Sequence, residues 1–226
     1  MTDSLGRLLI WLSPSFPVGA YSYSHGLERA VEDGAVTDAG SLAAWVGDVL
    51  CHGAGLSDAI LFDHAHRAVA AGDAAALAEV SALAAALAPS RERRLESLAQ
   101  GAAFLAAAGA AWPTPALAVA QAAAPEAGTA YPVAVAAACA GHGIAAPDAL
   151  RAFVQAFAAN LVSAGVRLVP LGQSDGLRAL AALEPVVAAT AAAAPGRPLD
   201  DIGGAAFAAD IASMRHETQY TRLFRS

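Results

Sequence analysis

The chain has 226 residues, 57% of them hydrophobic and only 15% charged, with a net charge of −7 and a pI near 5.2. That is enough apolar material for one sizeable core. The acidic balance argues against nucleic acid, which needs clustered basic side chains. All 13 basic residues are arginine and 64 residues are alanine, as a GC-rich coding bias produces.

In chain order, Met1 to Ser4 carries no basic region before the short apolar run after it, so no signal peptide is predicted. Pro14 and Pro17 fix an extended run, and Gly19 permits a left-handed turn. Tyr21 and Tyr23 point to opposite sides if that run is extended. Ser22 or Ser24 can cap a helix carrying Leu27 and Val31. Gly34 closes that helix, and Thr37 or Asp38 can cap the next. Leu42, Trp45, Val46, Val49 and Leu50 then follow the i, i+3, i+4 spacing of one helical face.

Gly72-Asp73 separates two more helices. The stripes Leu77, Val80, Ala84, Leu87 and Leu95, Leu98, Ala102, Leu105 flank a break at Pro89, with Ser90 as a cap. Pro147-Asp148 opens a helix with Leu150, Phe153, Val154, Phe157 and Leu161 on one face, ending before Pro170. Gly172 to Asp175 is predicted as a turn with Ser174 capping the next helix, and Ala194 to Pro198 as a loop. Phe207, Ile211 and Met214 form a last short stripe. No run alternates with period two. The expectation is an all-α, single compact domain of roughly ten helices with short loops.

The uncharged stretch from Ser97 to Pro125 is long. It is mostly Ala and Gly and is interrupted by Pro113 and Pro115, so a soluble helical pair is predicted rather than a membrane span. Cys51 and Cys139 lie far apart without metal spacing, and each is expected to act as a small apolar residue in a reduced compartment.

Candidate chemistry is sparse. His64 and His66 at i, i+2 cannot share a metal from one helix, and surface exposure is the expected explanation. His25 and Glu28 at i, i+3 can face each other, yet no third ligand presents itself for zinc. Glu28 with Glu32 suits a solvated helix face. So do Arg91, Arg93 and Arg94, with Glu92 and Glu96 interleaved. Phosphate loops, dinucleotide fingerprints and nucleophile elbows are absent, and the sequence offers no positive sign of catalysis.

Two segments stand apart. Ser13 to Glu28 crowds hydroxyls, two tyrosines and His25 around the prolines and glycines. A loop leading into a core helix accounts for the prolines and glycines, but less well for the polar side chains. In the last twelve residues, Arg215 to Ser226, a helical conformation would put Tyr220, Leu223 and Phe224 on one face and Arg215, Arg222 and Arg225 on the other. Such a tail can dock into a groove on a partner or pack on the chain's own core; sequence alone leaves both open.

In these two segments the chain resembles the urease accessory protein UreF family. The resemblance rests on Pro17-Val18-Gly19-Ala20-Tyr21-Ser22-Tyr23-Ser24-His25-Gly26-Leu27-Glu28 and on Met214-Arg215-His216-Glu217-Thr218-Gln219-Tyr220-Thr221-Arg222-Leu223-Phe224-Arg225-Ser226. Ser90 to Arg94 and Asn160 to Gly176 support it, while the Ala-rich middle matches only loosely. It implies a cytoplasmic, non-catalytic helical protein without a cofactor, a body at 1–214 and a partner-docking tail at 215–226. The implied partners are UreD (UreH in some bacteria), the GTPase UreG and the urease apoprotein, in a complex that inserts nickel and within which the protein dimerises.

The resemblance further implies that the tail orders on binding UreD, and that Tyr21 and Arg222 together shape the surface recruiting UreG. The partner-binding residues expected on this basis are Pro17, Gly19, Tyr21, Ser22, Tyr23, His25, Glu28, Arg215, His216, Glu217, Tyr220, Arg222, Leu223 and Phe224. Arg222 is expected to hydrogen-bond the Tyr21 turn while Tyr220, Leu223 and Phe224 anchor the tail. Three other functions are weighed. One is direct control of the GTPase through Arg222 or Arg225 as a finger. Another is a helical enzyme, for which no convergent polar groups are visible. The third is a nickel chaperone, for which six scattered histidines and two distant cysteines are a poor ligand set.

Overall fold

A computed structural model describes residues 4–226. The described residues contain helices and loops and no strand, as the sequence periodicity predicts. The helices are α1 (Ser4–Trp11), α2 (Leu27–Glu32), α3 (Ala39–His52), α4 (Ala54–Ala71), α5 (Ala74–Ala86), α6 (Arg91–Ala111), α7 (Pro115–Ala122), α8 (Tyr131–Gly141), α9 (Ala146–Leu168), α10 (Gln173–Ala193) and α11 (Phe207–His216). Short 3₁₀ turns at Ala20–Ser22 and Leu199–Asp201 complete the chain.

The ends of these helices follow local chemistry. Asp38 accepts the Ser41 N–H at 2.7 Å, and Ser41 Oγ accepts the Asp38 N–H in return, a reciprocal capping box. Asp73 and Ser90 cap α5 and α6 by accepting from Ala76 and Arg93. Pro115 opens α7 at its first turn, where the missing N–H costs nothing. At α10 the expected Ser174 cap is not used; Asp175 reaches back to the Gly172 N–H at 3.0 Å.

α8 sits at the centre. Every residue from Pro132 to Cys139 is buried, so the helix is apolar all round and has no polar face to turn outward. It packs against α4, α6, α7 and α9. Its alanines let neighbouring backbones approach. Opposite the end of the loop before α8, Gly101 of α6 leaves no room for a methyl, which would lie 2.0 Å from the Thr129 carbonyl oxygen. Cys139 behaves as a core residue, its thiol pushed up to about 12 by burial, while Cys51 is half-buried. α9 and α10 are long and apolar enough to cross a membrane by length and composition. α9 buries Leu150, Phe153, Val154, Leu161 and Val162 in this core.

The predicted faces of α3 and α9 are the buried ones, with Trp45 and Phe157 partly covered. α6 differs. Leu95 is exposed, and the inner face of its first turns is Glu92, Arg93, Glu96 and Gln100 before Phe104 and Leu105 take over. α11 is also reversed: Phe207, Ile211 and Met214 face outward, and Ala212, Ser213 and His216 face in. His64 and His66 are half-buried and buried rather than exposed, and their Nε2 atoms meet the carbonyls of Arg197 and Ile144. These are separate loops, consistent with the exclusion of a shared metal.

A candidate partner-binding site where the chain ends meet

The first wall of the site is the segment before α2. Phe16 packs on Phe104 and fixes the loop to the core, with ring centroids 5.3 Å apart. Gly19 then adopts φ 73° and starts the 3₁₀ turn. Tyr21 is 67% exposed and Tyr23 buried, and Ala20–Ser22 is a 3₁₀ turn rather than an extended run. Ser24 Oγ accepts the Glu28 N–H at 3.3 Å, but the residue at the N-cap of α2 is Gly26 rather than Ser22 or Ser24. His25 and Gly26 come next with φ 57° and 77°, two left-handed residues in succession that turn the chain into α2. Gly26 lies directly on α11: a Cβ here would stand 2.5 Å from the Ser213 nitrogen.

The second wall is α6. Glu92, Arg93 and Glu96, expected on a solvated helix start, are buried, while Arg91 and Arg94 remain outside. Burial of these charges is costly unless each is paired and hydrogen-bonded. Each carboxylate is. Glu96 contacts His25 Nε2 at 2.7 Å, accepts from Gln100 Nε2 at 2.9 Å and from Ser226 Oγ at 2.7 Å, and pairs with Arg93. Burial opposes ionisation of Glu96, but Arg93 and His25 outweigh it and hold the carboxyl down to about 2. Burial and Arg93 lower the His25 pKa, Glu96 opposing.

The third component is the C-terminal segment. α11 ends at His216, and the remaining ten residues form bends rather than helix. A tail helix with a shared face of Tyr220, Leu223 and Phe224 is therefore not formed. Tyr220 and Leu223 are 102% and 77% exposed, and Phe224 alone is buried. The segment runs back beside the N-terminal loop. The Arg225 N–H donates to the Ser22 carbonyl at 2.8 Å, and the Ser24 N–H donates to the Ser226 carbonyl at 2.9 Å. Ser24 Oγ also donates to that carbonyl.

Buried carboxylates from the two walls hold it. Glu28 accepts the N–H groups of Leu223 and Phe224 at 2.7 and 3.0 Å, and also meets His216 Nε2. Glu92 meets His216 Nδ1 at 2.6 Å and accepts from Arg222 Nη1 at 2.6 Å. Three expectations are corrected by these contacts. Glu28 is buried rather than on a solvated face with Glu32. His25 pairs with Glu96 rather than Glu28. Arg222 engages Glu92 rather than the Tyr21 turn. Arg167 of α9 takes the Tyr21 carbonyl at 2.7 Å instead, its guanidinium carbon 4.5 Å from the Phe224 ring centroid. Peripheral contacts finish the docking. Glu217 accepts the Arg91 N–H, Arg215 pairs with Asp33, and the Ser90 and Ser213 hydroxyls lie 2.6 Å apart.

Beside this assembly is a cavity of about 130 Å³ lined by Val18, Tyr21, His25, Arg93, Phe157 and Asn160 among others. A second, of about 90 Å³, lies on the other side of Asp58 and Arg93. Burial pushes the Asp58 carboxyl up to about 6, with Arg93 pulling the other way. Among the described residues no group of three or more His, Cys, Asp or Glu is arranged to hold a metal.

A family model described as UreF matches residues 36–184. The chain belongs to the UreF family of urease accessory proteins. Full-length relatives extend the UreF match to the two end segments. A urease accessory protein UreF from Xanthobacter autotrophicus (strain ATCC BAA-1158 / Py2) is 58% identical over 99% of this chain and 91% of its own length. Another, from Rhodopseudomonas palustris (strain HaA2), is 57% identical over 99% and 94%. A third, from Bradyrhizobium sp. (strain BTAi1 / ATCC BAA-1182), is 55% identical over 99% and 92%.

Of the side chains that meet around the docked tail, sequence reasoning left Arg93, Glu92, Glu96, Gln100 and Arg167 out of the candidate site. A usable signal was present: five charged residues in the first six of α6, with Leu95 out of phase with the helix's later apolar face.

Proposed function

We propose that this chain is a non-catalytic adaptor in urease maturation. In this reading it binds UreD (UreH), recruits the GTPase UreG and so supports delivery of nickel, as cargo, into the urease apoprotein. It works in the cytoplasm as a homodimer within that complex, without a cofactor of its own. The observation that carries the reading is the composite surface made by the two chain ends. Glu28, Glu92 and Glu96 pin the segment 215–226 to the N-terminal loop, and the same docking leaves Tyr21, Tyr220 and Leu223 exposed around it.

The expected partner-binding residues then divide by role. Pro17, Tyr21, Arg215, Tyr220 and Leu223 are exposed and available for direct contact. Gly19, Ser22, Tyr23, His25, Glu28, His216, Glu217, Arg222 and Phe224 position that surface through the turn, the carboxylate pairs and the packing that dock the tail. Exposed aromatic and arginine side chains are the residue types that dominate interface energetics.

The test is co-purification with UreD and UreG, comparing the full chain, a chain ending at Met214, and a Tyr220→Ala/Leu223→Ala variant that leaves the buried contacts intact. Capture of both partners by the full chain, with loss in both altered forms, is the expected result. Equal capture by all three removes the tail from the mechanism. A second reading, direct control of the GTPase, is favoured by one feature: the exposed Arg225 guanidinium has no hydrogen bond or ion pair among the described residues. Arg225→Ala would then lose stimulated GTP hydrolysis while still binding UreG.

A further inference from the structure

We infer that the face formed by the docked C-terminal segment, the start of α6 and the end of α11 is shaped for an acidic surface on a partner protein. The inference rests on the adaptor reading and names the chemistry of that contact. Arg91, Arg215, Arg222 and Arg225 are all exposed on this face. Hydrogen bonds and ion pairs tie them together: Arg91 through Glu217, Arg222 through Glu92 to the α6 start, Arg215 through Asp33 to α2, and Arg225 through Ser22 to the N-terminal loop. Asp33 stays exposed beside Arg215, but three other acids of the site are turned inward. Glu28, Glu92 and Glu96 are buried and spend their lone pairs on the tail. The surface therefore displays guanidinium groups on a chain whose net charge is −7.

The same segment and the end of α11 also expose Tyr220, Leu223 and Met214, at 102%, 77% and 50%. Exposed apolar and aromatic side chains together with arginine, without lysine, have the composition of a protein–protein interface. Arginine's planar fork pairs with carboxylates in a bidentate way, so the complementary rim is aspartate and glutamate. A second copy of this chain fits poorly, because a two-fold contact through this face sets guanidinium groups against each other. An anionic membrane is disfavoured by the acidic balance of the rest of the molecule.

The experiment uses the full chain, UreD and UreG, and an Arg91→Glu/Arg225→Glu variant. Among the described residues neither of these guanidinium groups makes a hydrogen bond or ion pair, and both backbone N–H contacts survive the change. An unchanged melting temperature checks the fold. The expected result is capture of UreD and UreG that weakens about tenfold or more between roughly 50 and 500 mM NaCl, and about tenfold on charge reversal at low salt. Capture indifferent to both salt and charge reversal overturns the inference and leaves the adaptor reading standing. Failure to capture either protein at any salt overturns both. A charge-sensitive dimer of the chain alone, or charge-sensitive binding to vesicles of about one-third anionic lipid without capture of either protein, also overturns it.

Discussion

Glu28 and His216 are 188 residues apart in sequence and 3.1 Å apart in the fold, both buried, at the point where the two ends of the chain lock together. The other Glu28 contacts are the backbone N–H groups of Leu223 and Phe224, so one carboxylate organises three groups of the C-terminal segment.

Removing Glu28 should free that segment. Glu28→Ala leaves two amides and an imidazole nitrogen without their acceptor, a cost of about 2–4 kcal/mol. The expected outcome is faster hydrogen exchange at the Leu223 and Phe224 amides and proteolytic clipping after His216, with a smaller loss of melting temperature. Native-like protection at both amides would show that the tail is held by something else.

Gly26→Ala should be strongly damaging for so small a change. Its φ of 77° disfavours any side chain, and its Cβ would lie 2.5 Å from a backbone atom of α11 that cannot swing aside. Strain and overpacking together predict a loss of about 2–4 kcal/mol, read as a lowered midpoint in chemical denaturation. Gly19→Ala is the control. It also has positive φ but nothing within 4 Å, and should cost about 1 kcal/mol.

Asp58 and Glu96 should leave opposite marks on stability against pH. The Asp58 carboxyl is raised from 3.8 to about 6, so the folded chain holds a proton that the unfolded chain releases between those values. Stability from this group therefore falls as pH rises from about 4 to 6. Asp58→Asn should gain about 2 kcal/mol relative to the parent on going from pH 4 to pH 7. A difference that does not change with pH would count against the assignment. Glu96 is lowered from 4.5 to about 2, so its contribution is complete above the ordinary value and is lost as pH falls through that window.

Arg222→Lys keeps the charge near Glu92 but loses the planar fork. The altered tail should weaken capture of UreG severalfold while leaving the fold unchanged. Phe224→Ala removes the ring under Arg167 and should act more strongly, because Phe224 is the tail's buried apolar anchor. Full capture by Phe224→Ala would mean that tail docking is dispensable for recruitment.

What the sequence determined by itself was local. Caps at Asp38, Asp73 and Ser90, the turn at Gly19, the breaks at Pro113 and Pro115, and the apolar faces of α3 and α9 all arise from residues within a few positions of each other. The two end segments also stood out, because their chemical variety contrasts with an alanine-rich chain.

Only the tertiary structure decided what those segments touch. Pattern reading assumes that apolar residues face inward, and that assumption fails on α6 and α11. The partners waiting for Glu92 and Glu96 are His216, Arg222 and Ser226, about 130 residues away, and nothing near α6 announces them. For the same reason Arg222 could be placed in the site but not paired. A buried charge is stable only beside its partner, and which partner arrives is settled by how the helices pack.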